Sequence, residues 1–222
     1  KNFSQRRPLF LTETYIICEN WSDLRKRENP MSEHLEIEFK TLVSPQDFKR
    51  LIDHFAIQKT DFFTQTNHYF DTDDFQLKAQ RMGLRIRVLA DRGELTLKVP
   101  APEGLLEIND PLSLETANHF IKRNHLPTEG AVAKKLQELG IEIASIHLIG
   151  SLKTARAEKQ IPQGLLALDE SWYNQQHDFE LELEVTEAES GKQAFQTLMA
   201  DLNIPITLAP NKIQRMMRTT AP

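Results

Sequence analysis

The chain has 222 residues, 40% hydrophobic and 27% charged, which is long enough to bury a sizeable core and too evenly mixed for a disordered or membrane-embedded protein. A formal net charge of -5 argues against binding double-stranded nucleic acid as its main business. The single cysteine, Cys18, leaves no internal disulfide or cysteine-based metal site, which fits a reducing cytoplasm, and no apolar run approaches membrane-spanning length.

Residues 1–30 read as a poorly patterned N-terminal extension upstream of a start at Met31. Arg6-Arg7-Pro8 and Leu9-Phe10-Leu11 imitate the head of a signal peptide, but Thr12, Glu13 and Thr14 cut the apolar part too short. From residue 31 to 218 the patterning is continuous and predicts one domain.

That domain opens on His34-Leu35-Glu36-Ile37-Glu38-Phe39-Lys40. Leu35, Ile37 and Phe39 face one way and Glu36, Glu38 and Lys40 the other, an alternation that only a strand produces. Ser44-Pro45-Gln46-Asp47 then starts a helix, with Ser44 as cap, Pro45 at the first helical position and Phe48, Leu51, Ile52 and Phe55 as the apolar stripe. A strand through Phe62-Phe63 to Tyr69-Phe70 ends at the turn Asp71-Thr72-Asp73-Asp74. The His68 side chain within it reads as packed or exposed, not as a ligand.

Leu84 to Leu89 is a strand with Arg85 and Arg87 on its polar face. Glu94 to Pro100 returns as its hairpin partner, carrying Thr96 and Lys98 on the polar side. Leu105 to Ile108 is a short strand, followed by a helix capped by Ser113 and another from about Ala131 to Leu139, stopped at Gly140. Two strands are expected next, Ile143–Leu148 and Leu152–Ile161, the second with Thr154, Arg156 and Glu158 on one face. Leu165 to Glu170 follows, then Phe179 to Val185 with Glu180, Glu182 and Glu184 in register, then helices near Ser190–Leu202 and Lys212–Arg215.

About eight mostly antiparallel strands with intervening helices predict an α+β fold, a sheet closed into an eight-stranded barrel with helices outside. The polar strand faces are charged at nearly every position, where a solvated sheet face would mix in Ser, Thr, Gln and Asn. If the large apolar faces pack under the helices, the charges line the interior. Burying so many ions dry would cost several kcal/mol each, a difficulty that a wet lumen taking a charged ligand removes. Paired acids suit divalent cations, and scattered Arg and Lys suit a phosphate chain. The competing arrangement is a charged face turned to bulk water.

Glu36-Ile37-Glu38-Phe39-Lys40 resembles the ExExK signature of the CYTH domain, also called the triphosphate tunnel metalloenzymes. The resemblance runs in order through His68-Tyr69-Phe70-Asp71-Thr72, Leu84-Arg85-Ile86-Arg87, Thr96-Leu97-Lys98, Leu106-Glu107-Ile108-Asn109, Thr154-Ala155-Arg156, Leu168-Asp169, Glu180-Leu181-Glu182-Leu183-Glu184 and Lys212-Ile213-Gln214-Arg215. It spans Ser32 to Met217 and nothing before Met31.

The resemblance implies a closed eight-stranded tunnel and a hydrolase of a small linear triphosphate, inorganic tripolyphosphate or a nucleoside or thiamine triphosphate, dependent on Mg2+ or Mn2+. It implies Glu36, Glu38, Glu180 and Glu182 as metal carboxylates, with Glu184 and Asp169 as further candidates and Glu107 as another acid of the wall. Lys40, Arg85, Arg87, Lys98, Arg156, Lys212 and Arg215 are implied as phosphate grips. Lys40, Glu36 and Glu38 carry the catalytic role, Lys40 as a donor to a terminal phosphoryl oxygen rather than a base. Two alternatives stand beside this: a class IV adenylate cyclase, and a non-catalytic module that binds polyphosphate or nucleotides.

Overall fold

The computed structural model describes residues 32–218; the expected N-terminal extension, residues 1–30, and the start at Met31 lie outside the described residues. Eight strands, β1 (Ser32–Val43), β2 (Phe62–Thr72), β3 (Gly83–Val88), β4 (Arg92–Pro100), β5 (Leu105–Ser113), β6 (Ile146–Ile161), β7 (Gly164–Tyr173) and β8 (Gln176–Val185), close into one barrel. Its order is β1-β5-β4-β3-β2-β6-β7-β8, with β8 paired back to β1 and every neighbouring pair antiparallel.

Six helices are described: α1 (Pro45–His54), α2 (Gln76–Ala79), α3 (Leu114–Arg123), α4 (Ala131–Glu138), α5 (Ala188–Asp201) and α6 (Lys212–Arg218). Their starts are written locally. Ser44 Oγ accepts from Asp47 N at 3.0 Å and Ser113 Oγ from Thr116 N at 3.0 Å. Buried carboxylates serve α2 and α4: Asp71 accepts from Leu77 N and Lys78 N, and Asp110 from Ala131 N and Val132 N. Among the described residues no helix is long and apolar enough to cross a membrane.

The period of two sends the apolar side chains outward, so the hydrophobic core lies between barrel and helices. On one side Leu84, Ile86, Leu95, Leu97 and Ile108 pack under α2, α3 and α4 through Leu77, Ala117, Val132 and Leu136. On the other, Leu166, Leu168, Leu181 and Leu183 pack under α1 and α5 through Phe48, Leu51, Phe195 and Met199. Burying such side chains contributes roughly 1.5–3 kcal/mol each, which fastens the helices to the barrel.

Several boundaries differ from the sequence reading: Asp71 and Thr72, expected in a turn, end β2, and β7 runs on to Tyr173, while two further differences have a physical reason. The expected strands Ile143–Leu148 and Leu152–Ile161 are one strand, β6, preceded by a 3-10 turn at Ile143–Ser145. The register with β2 slips between Tyr69↔Gly150 and Phe70↔Leu148, a bulge at Ile149 that keeps the strand continuous. Gly150 looks like a breaker but is a packing position: a Cβ there would lie 2.7 Å from the Met216 thioether of α6. The second difference is β5, which continues to Ser113; its Pro111 sits beyond the last described pair with β1, Ser32↔Asn109, where a missing N–H is tolerated.

The Met216 contact also explains α6. Met216 is fully buried against the inward-facing Tyr69, Leu152 and Tyr173, so the helix closes that end of the barrel and carries Lys212 and Arg215 to the charged interior.

A charged tunnel as the candidate functional site

The inward faces enclose a cavity of about 480 Å³. Its wall includes Glu36, Glu38 and Lys40 from β1, Arg85 and Arg87 from β3, Lys98 from β4, Glu107 from β5, Arg156 and Glu158 from β6, Glu182 and Glu184 from β8 and Lys212 from α6. The charges therefore line the interior, and the arrangement with a charged face in bulk water is excluded.

One cluster joins β1, β3, β4 and β5. Lys98 contacts Glu36 and lies 2.8 Å from Glu107, whose carboxylate also meets His34 Nε2 at 3.3 Å and the Arg85 guanidinium at 3.7 Å. Burial pushes the Glu107 carboxyl up, yet Lys98, His34 and Arg85 together hold it well below the usual range. Glu36 goes the other way: burial raises it, and Glu107 and Glu38 add to that against Lys98.

A second cluster joins β6, β7, β8 and α6. Arg156 grips the wholly buried Asp169 with two hydrogen bonds of 2.7 and 2.6 Å and also contacts Glu182. Lys212 Nζ lies 2.8 Å from Asp169, 3.3 Å from Glu180 and 2.5 Å from Glu182. Arg215 contacts Glu180 and meets Asp178 at 3.0 Å. Burial pushes Glu180 up to about 7, helped by Glu182 and opposed by Lys212 and Arg215. Glu182 is held well below the carboxylate range because Lys212 and Arg156 outweigh its burial.

Two features stand outside these pairings. Glu38, which contacts Lys40, is directly opposed to Glu184 across the β1–β8 pair. The half-buried Arg87 donates from Nε to Asn67 Oδ1 at 3.2 Å, and no carboxylate among the described residues lies within ion-pair distance of it. Burial, with Arg85 and Arg156 nearby, pulls its pKa down to about 10, so the guanidinium remains charged and favours an anion in the lumen.

The donor set suits a hard divalent cation. The acids offer oxygen only, and Mg2+ takes one or two protein carboxylates with waters and phosphates completing its shell. Among the described residues no three His, Cys, Asp or Glu side chains are gathered around one point, so the pairwise opposition of Glu38 and Glu184 is the arrangement offered.

The CYTH domain model matches residues 34–217, nearly the whole of the described chain. The chain belongs to the CYTH family. It is 42% identical over 185 residues to the "Putative triphosphatase YjbK" of Bacillus subtilis (strain 168), a match that covers 83% of this chain and 95% of that one. Among solved structures, one from Bacillus halodurans, described as that of a "putative adenylate cyclase", is 45% identical with a TM-score of 0.79, covering 83% of this chain and 98% of that chain. The Hippeastrum protein HpAC1 is 22% identical with a TM-score of 0.70, covering 85% and 98%, a likeness of fold.

Within this CYTH tunnel, the residues expected from the sequence separate into two layers. Glu36, Glu38, Lys40, Arg85, Arg87, Lys98, Glu107, Arg156, Glu182, Glu184 and Lys212 reach the cavity. Glu180, Asp169 and Arg215 lie behind it, Glu180 and Asp169 with no exposure and Arg215 6% exposed, engaged with one another and with Lys212 and Arg156. The sequence reading passed over His34, Gln65, Asn67 and Tyr69, which also line the wall. Gln65, Asn67 and Tyr69 alternate along β2, so the same period of two that exposed the charges would have found them.

Proposed function

We propose that this chain hydrolyses a small linear triphosphate with a divalent metal, Mg2+ or Mn2+, inorganic tripolyphosphate being the first candidate. The observation that carries the reading is Arg87, a guanidinium in the tunnel wall that faces Glu94 across the strand pair but makes no ion pair with any carboxylate among the described residues. A pure anion trap would gain nothing from Glu38 facing Glu184. The likeness to a protein named as a triphosphatase supports the same reading.

Phosphoryl transfer needs positioning and charge neutralisation more than covalent participation. Arg87, Arg85 and Lys98 are suited to hold the phosphate chain, with Arg156 and Lys212 at the acidic side. Glu36, Glu38, Glu182 and Glu184 are suited to hold the metal. Glu180 and Asp169, read from sequence as ligands, are placed to fix Lys212 and Arg156. A bound divalent cation supplies charge neutralisation and a more acidic water. Lys40, in contact with Glu38, is suited to donate to a terminal phosphoryl oxygen. Water adds to the terminal phosphorus, the bridging P–O bond breaks, and orthophosphate and pyrophosphate result.

Cyclisation of a nucleoside triphosphate is the second reading, favoured by the description of the Bacillus halodurans relative. Orthophosphate release and cyclic AMP formation, measured side by side with tripolyphosphate, thiamine triphosphate and ATP under Mg2+ and Mn2+, separate the two. Release of orthophosphate without cyclic AMP is expected. Cyclic AMP as the main product overturns hydrolysis, and binding with neither product leaves a polyphosphate-binding module.

A further inference from the structure

The cavity extends past the paired clusters to a mouth formed by the α2–β3 turn and the β4–β5 connection, where Lys78, Arg81, Gly83 and Pro100 line it. Neither Lys78 nor Arg81 has a carboxylate partner among the described residues; the Lys78 ammonium lies over the Phe75 ring at 5.1 Å. Both are exposed. We propose that Lys78 and Arg81 carry the phosphate track out to this mouth, so that the tunnel accepts linear polyphosphates longer than three phosphates. This rests on the reading of the lumen as a phosphate-chain site.

Three observations support the extension. Arg81, Gly83, Arg85 and Arg87 come from one run of chain that leads from the mouth inward. Gly83 and Arg87 are separated by roughly 13 Å of strand. Gly83 pairs with Lys98, and a Cβ on it would meet nothing within 4 Å, so the missing side chain leaves the passage open beside the first inner cation. Arg81 holds a left-handed backbone, φ 58°, where glycine or asparagine is at ease. The turn is fixed by Met82 N donating to Leu77 O at 2.9 Å and by the Asp71 carboxylate that anchors α2, and it directs the Arg81 side chain to the cavity.

Compensation of the α2 dipole is the plain alternative for two cations near a helix C-terminus. It is weak for a helix of four residues and does not require either cation to line the tunnel. A nucleobase site is the other competitor. The mouth offers two exposed cations; Tyr69 of the cavity is 6% exposed and the Phe75 ring, 38% exposed, is already covered by the Lys78 ammonium, so the ATP arm of the test decides between base and phosphate.

The test compares the wild type, the double variant Lys78→Gln/Arg81→Gln and Gly83→Leu by calorimetric binding of tripolyphosphate, long-chain inorganic polyphosphate and ATP without added metal. The preference for long-chain polyphosphate over tripolyphosphate should fall on the order of tenfold in both, the loss of one or two charge-assisted contacts or of their path. Lys192→Gln, an exposed lysine of α5, controls for net charge and should keep the wild-type ratio. An unchanged ratio in the double variant overturns the proposal, as does a selective loss of ATP, which would make the mouth a nucleoside site. Orthophosphate release by the wild type is scored separately: its absence would remove the hydrolase reading while the binding ratios still decide the mouth.

Discussion

Glu38 of β1 and Glu184 of β8 face each other directly across the barrel wall, two carboxylates in one cross-strand pair. Opposed like charges cost stability, and a divalent cation between them would relieve it. Mg2+ or Mn2+ should therefore raise the melting temperature, by an amount that corresponds to about 2.7 kcal/mol at a concentration of 100 Kd. Glu38→Gln, which also removes the Lys40 contact, should shrink the metal-induced shift. A full shift in the variant would remove Glu38 from the metal site, and phosphate release that persists in EDTA would remove the metal altogether.

The Asp169–Arg156 pair tests the layer behind the lumen. Asp169 is wholly buried and holds Arg156 by two hydrogen bonds, so Asp169→Ala leaves a largely buried guanidinium and a weakened Lys212. Breaking such a pair from one side should destabilise the metal-free protein by about 3–5 kcal/mol. Chemical denaturation measures this. Unchanged or increased stability would mean that Asp169 serves a bound cation and not its neighbours.

Glu180 sets a pH dependence with a definite sign. Its folded pKa, pushed to about 7 by burial and by Glu182, lies above that of an unfolded glutamate, near 4.5. Between those values the native state holds more protons than the unfolded one, so stability falls as pH rises through the window. Melting temperatures of metal-free wild type and Glu180→Gln across this range should converge at low pH, the wild type losing ground as pH rises. Parallel curves would show that the Lys212 and Arg215 charges keep Glu180 ionised throughout.

The barrel and its charged interior were legible because strict alternation is a one-dimensional signal: Glu36, Glu38 and Lys40 cannot share a helix face. The continuity of β6 was not legible, since Gly150 is explained only by Met216, brought to it by the docking of α6. The engagement of Glu180 and Asp169 with Lys212 and Arg215 depends on the same docking. Asn67 and Gln65 carried the right period but no charge, so a search for charged faces missed them. Lys78 and Arg81 join the lumen through a left-handed turn that no periodicity encodes.

Arg87 gives the most direct test of the tunnel as a site of triphosphate hydrolysis. Steady-state orthophosphate release from tripolyphosphate with Mg2+ is measured for wild type and Arg87→Ala, with melting temperature recorded for both. The account predicts kcat/KM lower by on the order of a hundredfold, as removal of one charge contact made in the transition state often costs. It also predicts little loss of stability, because Arg87 has no carboxylate to leave unpaired. Equal rates in the two proteins would contradict the account and put the reacting phosphates elsewhere.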